Sequence, residues 1–253
     1  DEALPLSADV FYRLADLAAE EMAALAKCLA QPSPVPVALL FNEATNLSQV
    51  QRGLQAGCTA VMLDTSHLPF AENTDLTRRV VDMAHAYGAT VEAELGHLPD
   101  ASDPAAGQGR CTDPEEAARF VGETGVDALA VSIGNTHLLI DGQASVNLDL
   151  LAQLRSAAAV PLVIHGGTGF PPELVQEAVV RGVAKFNVGT RLKHAYLTGI
   201  REAIAEVPAR PNIHRYVGSR EEGDILALGK ERVKAVIRPL LRLYGCAGQA
   251  SRP

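Results

Sequence analysis

Short apolar runs alternate along this chain with longer stretches in which apolar residues recur every three or four positions. The short runs are Val37–Phe41, Thr59–Leu63, Thr90–Leu95, Asp127–Ile133, Pro161–Ile164 and Val183–Phe186. They are too short for helices and rich in branched residues, which predicts buried strands beginning near 37, 59, 89, 127, 160 and 183. The helical periods fall over 8–30, 46–56, 74–87, 112 to about 122, 147–156, 171–182, 191–206 and 221–243. Thr112-Asp113-Pro114-Glu115 is a strong helix start, with an N-cap, a proline in the first turn and early acids. Strand followed by helix, repeated, predicts a parallel sheet.

Almost every strand ends in polar chemistry: Asn42 and Glu43, Asp64, Glu94, Asn135 and His137, His165, and Asn187 with Thr190. Chemistry at the same end of so many strands is the arrangement of a TIM (β/α)8 barrel, whose active sites lie at the strand C-termini. A doubly wound sheet concentrates its ligands at one switch point instead. The expectation is an α/β fold, a single barrel domain over residues 1–253, with the C-terminal helices 191–206 and 221–243 packing on it. A barrel needs eight strands, and two are expected upstream of Asp1 or missing from this chain.

The densest stretch is Pro161–Phe170. Its strand stops at His165, and Gly166-Gly167-Thr168-Gly169 follows at once. Glycines let backbone N–H groups approach a ligand, and a helix beginning near Pro171 would add its positive end, so the stretch suits an anion such as phosphate. A histidine in that setting could ligate a metal or move a proton. Gly96 to Thr112 is a long loop rich in Gly, Pro and Asp, of the kind that often forms a lid.

The chain has 253 residues, 47% of them hydrophobic, enough for one large core. A net charge of −8 without a basic run argues against nucleic acid or an anionic membrane as partner, so an anionic substrate must be held by local donors. Cys28, Cys58, Cys111 and Cys246 show no paired spacing and fit reduced thiols in the cytoplasm. No apolar run reaches the length of a membrane span.

From Pro36 to the C-terminus the chain resembles the class II, metal-dependent fructose-bisphosphate and tagatose-bisphosphate aldolases. The resemblance is carried by VPVAL (35–39), VMLDTSHLPFAENTDLTRRVV (61–81), VEAELG (91–96), TDPEEAARFV (112–121), GVDALAVSIGNTH (125–137), PLVIHGGTG (161–169), AKFNVGT (184–190) and GCAGQA (245–250). It implies a TIM barrel, a phosphorylated ketose substrate, assembly as a homodimer or homotetramer, and a divalent metal: zinc first, with manganese or iron as alternatives. His137 and His165 match two zinc-ligand histidines, while Asp64 and Glu94 match carboxylates near a second metal position. Gly166, Gly167 and Thr168 match a phosphate loop, Asn187 and Thr190 match the last-strand loop that grips the substrate, and Gly189 between them is a further substrate-binding candidate.

The departures from the pattern fall on proton transfer. Asn42 stands for an aspartate, and an amide cannot act as a general acid. Glu43 stands for the third zinc histidine, which leaves a His-His-carboxylate metal set of His137, His165 and Glu43. Leu138 stands for a glycine, and Gly189 for an aspartate. The lid position of the usual glutamate base falls near Ser102, with Asp100 and Asp103 beside it. The resulting expectation is a metal-dependent lyase of the retro-aldol type, working through an enediolate on a phosphorylated ketose or sugar acid. Asn42, Glu43, Glu94 and Asp103 are its catalytic candidates. Lys185 is expected to pair with a barrel carboxylate. The alternative is a non-catalytic phosphosugar-binding or regulatory protein on the same scaffold.

Overall fold

The structure, a computed structural model, describes residues 19–101, 109–139 and 142–249. Six strands form one parallel sheet: β1 (Leu40–Ala44), β2 (Ala60–Leu63), β3 (Thr90–Leu95), β4 (Ala128–Val131), β5 (Leu162–Ile164) and β6 (Val183–Phe186). The helices are α1 (Ala19–Ala30), α2 (Leu47–Gln55), α3 (Phe70–Ala86), α4 (Pro114–Thr124), α5 (Leu148–Ala157), α6 (Val175–Val180), α7 (Thr190–Ala205), α8 (Ile213–Tyr216) and α9 (Ile225–Leu243). The predicted helix over 8–30 is described only as α1, its earlier residues lying outside the described ones.

The strands pair in chain order, β1-β2-β3-β4-β5-β6. Parallel crossovers are right-handed, so an unbroken order carries the helices to one face, as in a barrel wall; a doubly wound sheet would reverse its order midway. The described residues form this six-stranded half-barrel rather than the closed eight-stranded ring expected from the sequence, since β1 and β6 remain the two edges. The core lies between sheet and helices, around Val61, Phe120, Leu129, Leu151, Leu154 and Leu162, all buried.

Local chemistry explains most boundaries. Asn46, Asp113, Asn147 and Asp224 cap α2, α4, α5 and α9, each accepting first-turn N–H bonds through its side chain. Helix α3 begins at Phe70, ahead of the predicted Thr74, with Pro69 at its N-cap and no side-chain cap. Packing sets that start, because Phe70 meets Phe120 edge-on at 6.0 Å. The helix predicted from Pro171 is split into a 3-10 turn, Pro172–Leu174, and the six-residue α6. Helices α7 and α9 pair around Leu192, Val233, Ile237 and Leu240, and Tyr244 stacks on Phe186 at 4.7 Å, tying α9 back to β6. Among the described residues no helix is long and apolar enough to cross a membrane.

One irregularity bears on function. In β1, Phe41 pairs with Val61 and Ala44 with Leu63, so β1 carries one extra residue there. Asn42 and Glu43 fill this bulge, both exposed, and Glu43 is left-handed at φ 52°. A bulge re-aims side chains at a strand end.

Candidate metal centre and active site

Three neighbouring strand ends converge on one point. Glu94 leaves β3, His137 follows β4 and His165 follows β5; one donor atom from each lies within 4.8 Å of the others. Strand alternation puts Glu92 on the same face as Glu94, and both are buried. His165 is buried between them, with Nε2 2.9 Å from Glu92 and Nδ1 2.7 Å from a Glu94 oxygen. The first contact is a hydrogen bond, whereas the second is close but misaligned, so Nδ1 has no hydrogen-bond partner.

A buried imidazole nitrogen left without a bond is costly. A nitrogen and a carboxylate oxygen that face one another without bonding fit a shared cation, with the His137 ring 5.9 Å away as the third side. The Glu92 bond on the far nitrogen sets the tautomer and ring orientation, as carboxylates do for metal-bound histidines. Nitrogen and oxygen donors of this kind suit zinc, and manganese or iron as well.

Charge around His165 is strongly coupled. Burial disfavours its imidazolium, but the hydrogen bond to Glu92 and the carboxylate charge of nearby Glu94 outweigh burial and raise its pKa to about 9. Burial likewise pushes Glu92 up, yet His165 and Lys185 hold it below the usual carboxylate range. Lys185 Nζ lies 2.7 Å from Glu92 and also donates to Asn187 Oδ1, so the expected pairing with a barrel carboxylate is present. The result is a chain of polar contacts from Asn187 through Lys185 and Glu92 to His165.

Two buried asparagines fix the ligand backbones. Asn73 donates to the Glu94 carbonyl at 3.1 Å and accepts from Thr65 and Thr77. Asn135 donates to the His165 carbonyl at 2.9 Å while its oxygen accepts from Ile133 N–H. Truncating Asn135 strands these groups in a dry interior. Asn135→Ala is expected to lower stability by roughly 2–3 kcal/mol, measured by urea unfolding.

The glycine loop is locked to its neighbours. At Gly166, φ is 68° and an added Cβ would collide with the Thr136 carbonyl, so glycine is required. Gly167 N–H donates to Asn187 O, and the Thr168 hydroxyl accepts from Arg191 N–H. The long helix that starts beside this loop is therefore α7, and not the short α6 that the sequence suggested. Gly189 is the N-cap of α7 and has no side chain to cap it, so Thr168 takes one first-turn N–H from across the loop, and no acid occupies the first turn. A helix N-terminus without an acid in its first turn attracts anions. Arg191 brings a guanidinium to the same place, where it donates to the Thr168 carbonyl at 3.0 Å.

The remaining sequence candidates stand apart from the three-residue group. Asp64 accepts from the Ser66 hydroxyl at 2.9 Å and lines a separate cavity of about 500 Å³ with Thr45, Ser48 and His67. Glu43 is held outside by the bulge. Ser102 and Asp103 lie outside the described residues.

The family model for class II fructose-bisphosphate aldolase matches residues 5–249. The chain belongs to this family. The YdjI aldolase from Escherichia coli K12 is 28% identical, with a TM-score of 0.76 over 96% of this chain and 80% of that one. A putative fructose-1,6-bisphosphate aldolase from Coccidioides immitis is 26% identical, with a TM-score of 0.77 over 94% and 80%. Fructose-bisphosphate aldolase from Campylobacter jejuni, 21% identical over 90% and 76%, shares the fold at a TM-score of 0.72.

Membership of the class II aldolase family supports an aldolase-type lyase. Two of the positions expected from the sequence to depart from the family pattern have unusual backbone. Glu43 and Leu138 both have positive φ, and Leu138 is 44% exposed immediately after His137. No added Cβ would be crowded at Gly189, so sterics do not demand glycine there. Sequence reasoning missed two residues. Asn73 was hidden inside a polar run, where its only signal is an amide on a buried face of α3, and Arg191 looked like an ordinary first-turn residue.

Proposed function

We propose that this class II aldolase-family protein is a metal-dependent lyase that cleaves a phosphorylated ketose or sugar acid by a retro-aldol reaction. The observation that carries this reading is the buried Glu94–His137–His165 group with its unbonded Nδ1. These three residues would hold a divalent metal, which supplies Lewis-acid polarisation of a carbonyl.

The chain's own residues supply the remaining functions. The Glu92–Lys185 pair holds the His165 ring in place. The α7 N-terminus, with Gly189, Thr190 and Arg191, supports binding of a substrate phosphate beside Gly166, Gly167 and Thr168. Asn187, whose Oδ1 accepts from Lys185, would orient substrate hydroxyls. A retro-aldol cleavage needs a base for the hydroxyl proton. We assign that role to Glu43, an exposed carboxylate at the strand-end bulge, with Asn42 orienting the carbonyl and Asp103 a further proton carrier. Free cysteines support a reducing, cytoplasmic setting. Exposed Leu197 and Ile204 on α7 and Leu228 on α9 support a homodimer or homotetramer.

The test is a panel of phosphorylated ketoses and sugar acids incubated with the zinc-loaded and chelator-stripped protein. Cleavage of one compound, lost on stripping and restored by zinc, is expected. Tight binding of a phosphosugar without turnover under any metal would replace this reading with a phosphosugar-binding protein.

A further inference from the structure

Glu94 is part of β3 and His165 follows β5 directly, but His137 lies well past the end of β4 at Val131, in irregular backbone. Its position is set from the side. The His137 N–H donates to the Pro99 carbonyl at 2.9 Å, and the His137 carbonyl accepts from Ala101 N–H at 3.0 Å. Asp100 and His137 thus form a parallel bridge, a short piece of sheet beyond the main one.

The segment doing this is the foot of the loop between β3 and α4. That foot is firmly built. His97 and Arg110 exchange two backbone bonds of 2.9 Å, and Leu98 is buried. Thr112 binds Ser132 through its N–H and again through its hydroxyl, each at 2.8 Å, fastening the returning strand to the end of β4. Gly109 packs directly on Pro99: an added Cβ there would collide with Pro99 Cδ and lie 2.6 Å from the His97 carbonyl. A proline ring and a backbone carbonyl cannot rotate aside as a flexible side chain would.

We propose that Pro99–Ala101, wedged by Gly109, is the positioning element of His137, so that the foot of this loop sets the metal affinity of a centre it does not ligate. The inference rests on the metal-centre reading above. Groups that orient metal ligands from outside typically change affinity by about 10–100-fold when altered.

Two variants test it by different routes. Gly109→Ala forces Pro99 off its seat, and Ala101→Pro deletes the N–H that holds the His137 carbonyl. Gly122→Ala, whose added Cβ meets nothing, and Ala101→Gly, which keeps the N–H, are the controls. Zinc affinity is measured by competition with a chromophoric chelator, and ligand geometry by the visible absorption of the cobalt-loaded protein. Folding is checked by circular dichroism. Gly109→Ala and Ala101→Pro are expected to bind zinc about 10–100-fold more weakly with an altered cobalt spectrum, while both controls match wild type. Wild-type affinity and spectrum in either folded variant would overturn the proposal. A wild-type protein that takes up neither zinc nor cobalt would instead refute the metal centre itself, a distinguishable result.

Discussion

Elemental analysis of the purified protein is expected to find about one divalent ion per chain, lost in Glu94→Ala, His137→Ala and His165→Ala but retained in Glu43→Ala. The reason is geometric. Glu94 places a carboxylate oxygen 2.7 Å from His165 Nδ1, within the group of three donors. Glu43 occupies the β1 bulge with a left-handed backbone and lies outside that group. Removing any of three donors leaves a two-ligand site, which holds metal poorly. Turnover of a cleaved substrate should fall by about a thousandfold or more in the three ligand variants, reflecting the several kcal/mol contributed by a Lewis acid. Glu43→Ala separates the two roles: it should keep its metal yet lose about 10²–10⁴-fold in turnover, the range for general acid–base catalysis. Metal lost from Glu43→Ala and kept by Glu94→Ala would reverse the assignment of the third ligand.

The sequence pointed to Glu43 as the third donor, whereas the structure groups Glu94 with the two histidines. The strands were legible because their branched apolar runs have no competing pattern, and β3 and β6 begin at Thr90 and Val183, where those runs begin. The first strand starts later than Val37 because the prolines before it delay the ladder; Leu39 N–H bonds the Thr59 hydroxyl instead. Capped helices were equally legible, since Asp113 and Asn147 announce themselves. A bulge does not. It arises from the mismatch between two strands, and nothing in Asn42-Glu43 taken alone reveals the register against Val61 and Leu63. The histidines were visible because His165 directly follows its apolar run and His137 the Gly134-Asn135-Thr136 turn after another. Glu94 was visible as a carboxylate, but its closeness to His165 depends on β3, β4 and β5 being neighbours in order. Asn73 was invisible for a related reason: its partners, Thr65 and the Glu94 carbonyl, come from other elements.

The other large effect is expected at Glu92, which stands outside the Glu94–His137–His165 group. Its side chain is 5% exposed and joins His165 Nε2 to Lys185 Nζ. Replacing it with leucine leaves the imidazole without its orienting acceptor and the ammonium without its carboxylate. Breaking a buried charged pair costs about 3–5 kcal/mol. The lower end applies here, because the Lys185 side chain is 39% exposed and water can take over part of its solvation. Glu92→Leu should therefore lose about 3 kcal/mol in urea unfolding of the metal-free protein. Its zinc affinity should also fall by about 10–100-fold, since the ring that presents Nδ1 is no longer held. Lys185→Met provides the contrast. It leaves the Glu92–His165 bond in place, so it should cost no more than about 1 kcal/mol and change zinc affinity little. Equal losses in the two variants would mean that the ion pair, rather than the orientation of His165, accounts for the effect, and Glu92 would then be a residue of stability alone.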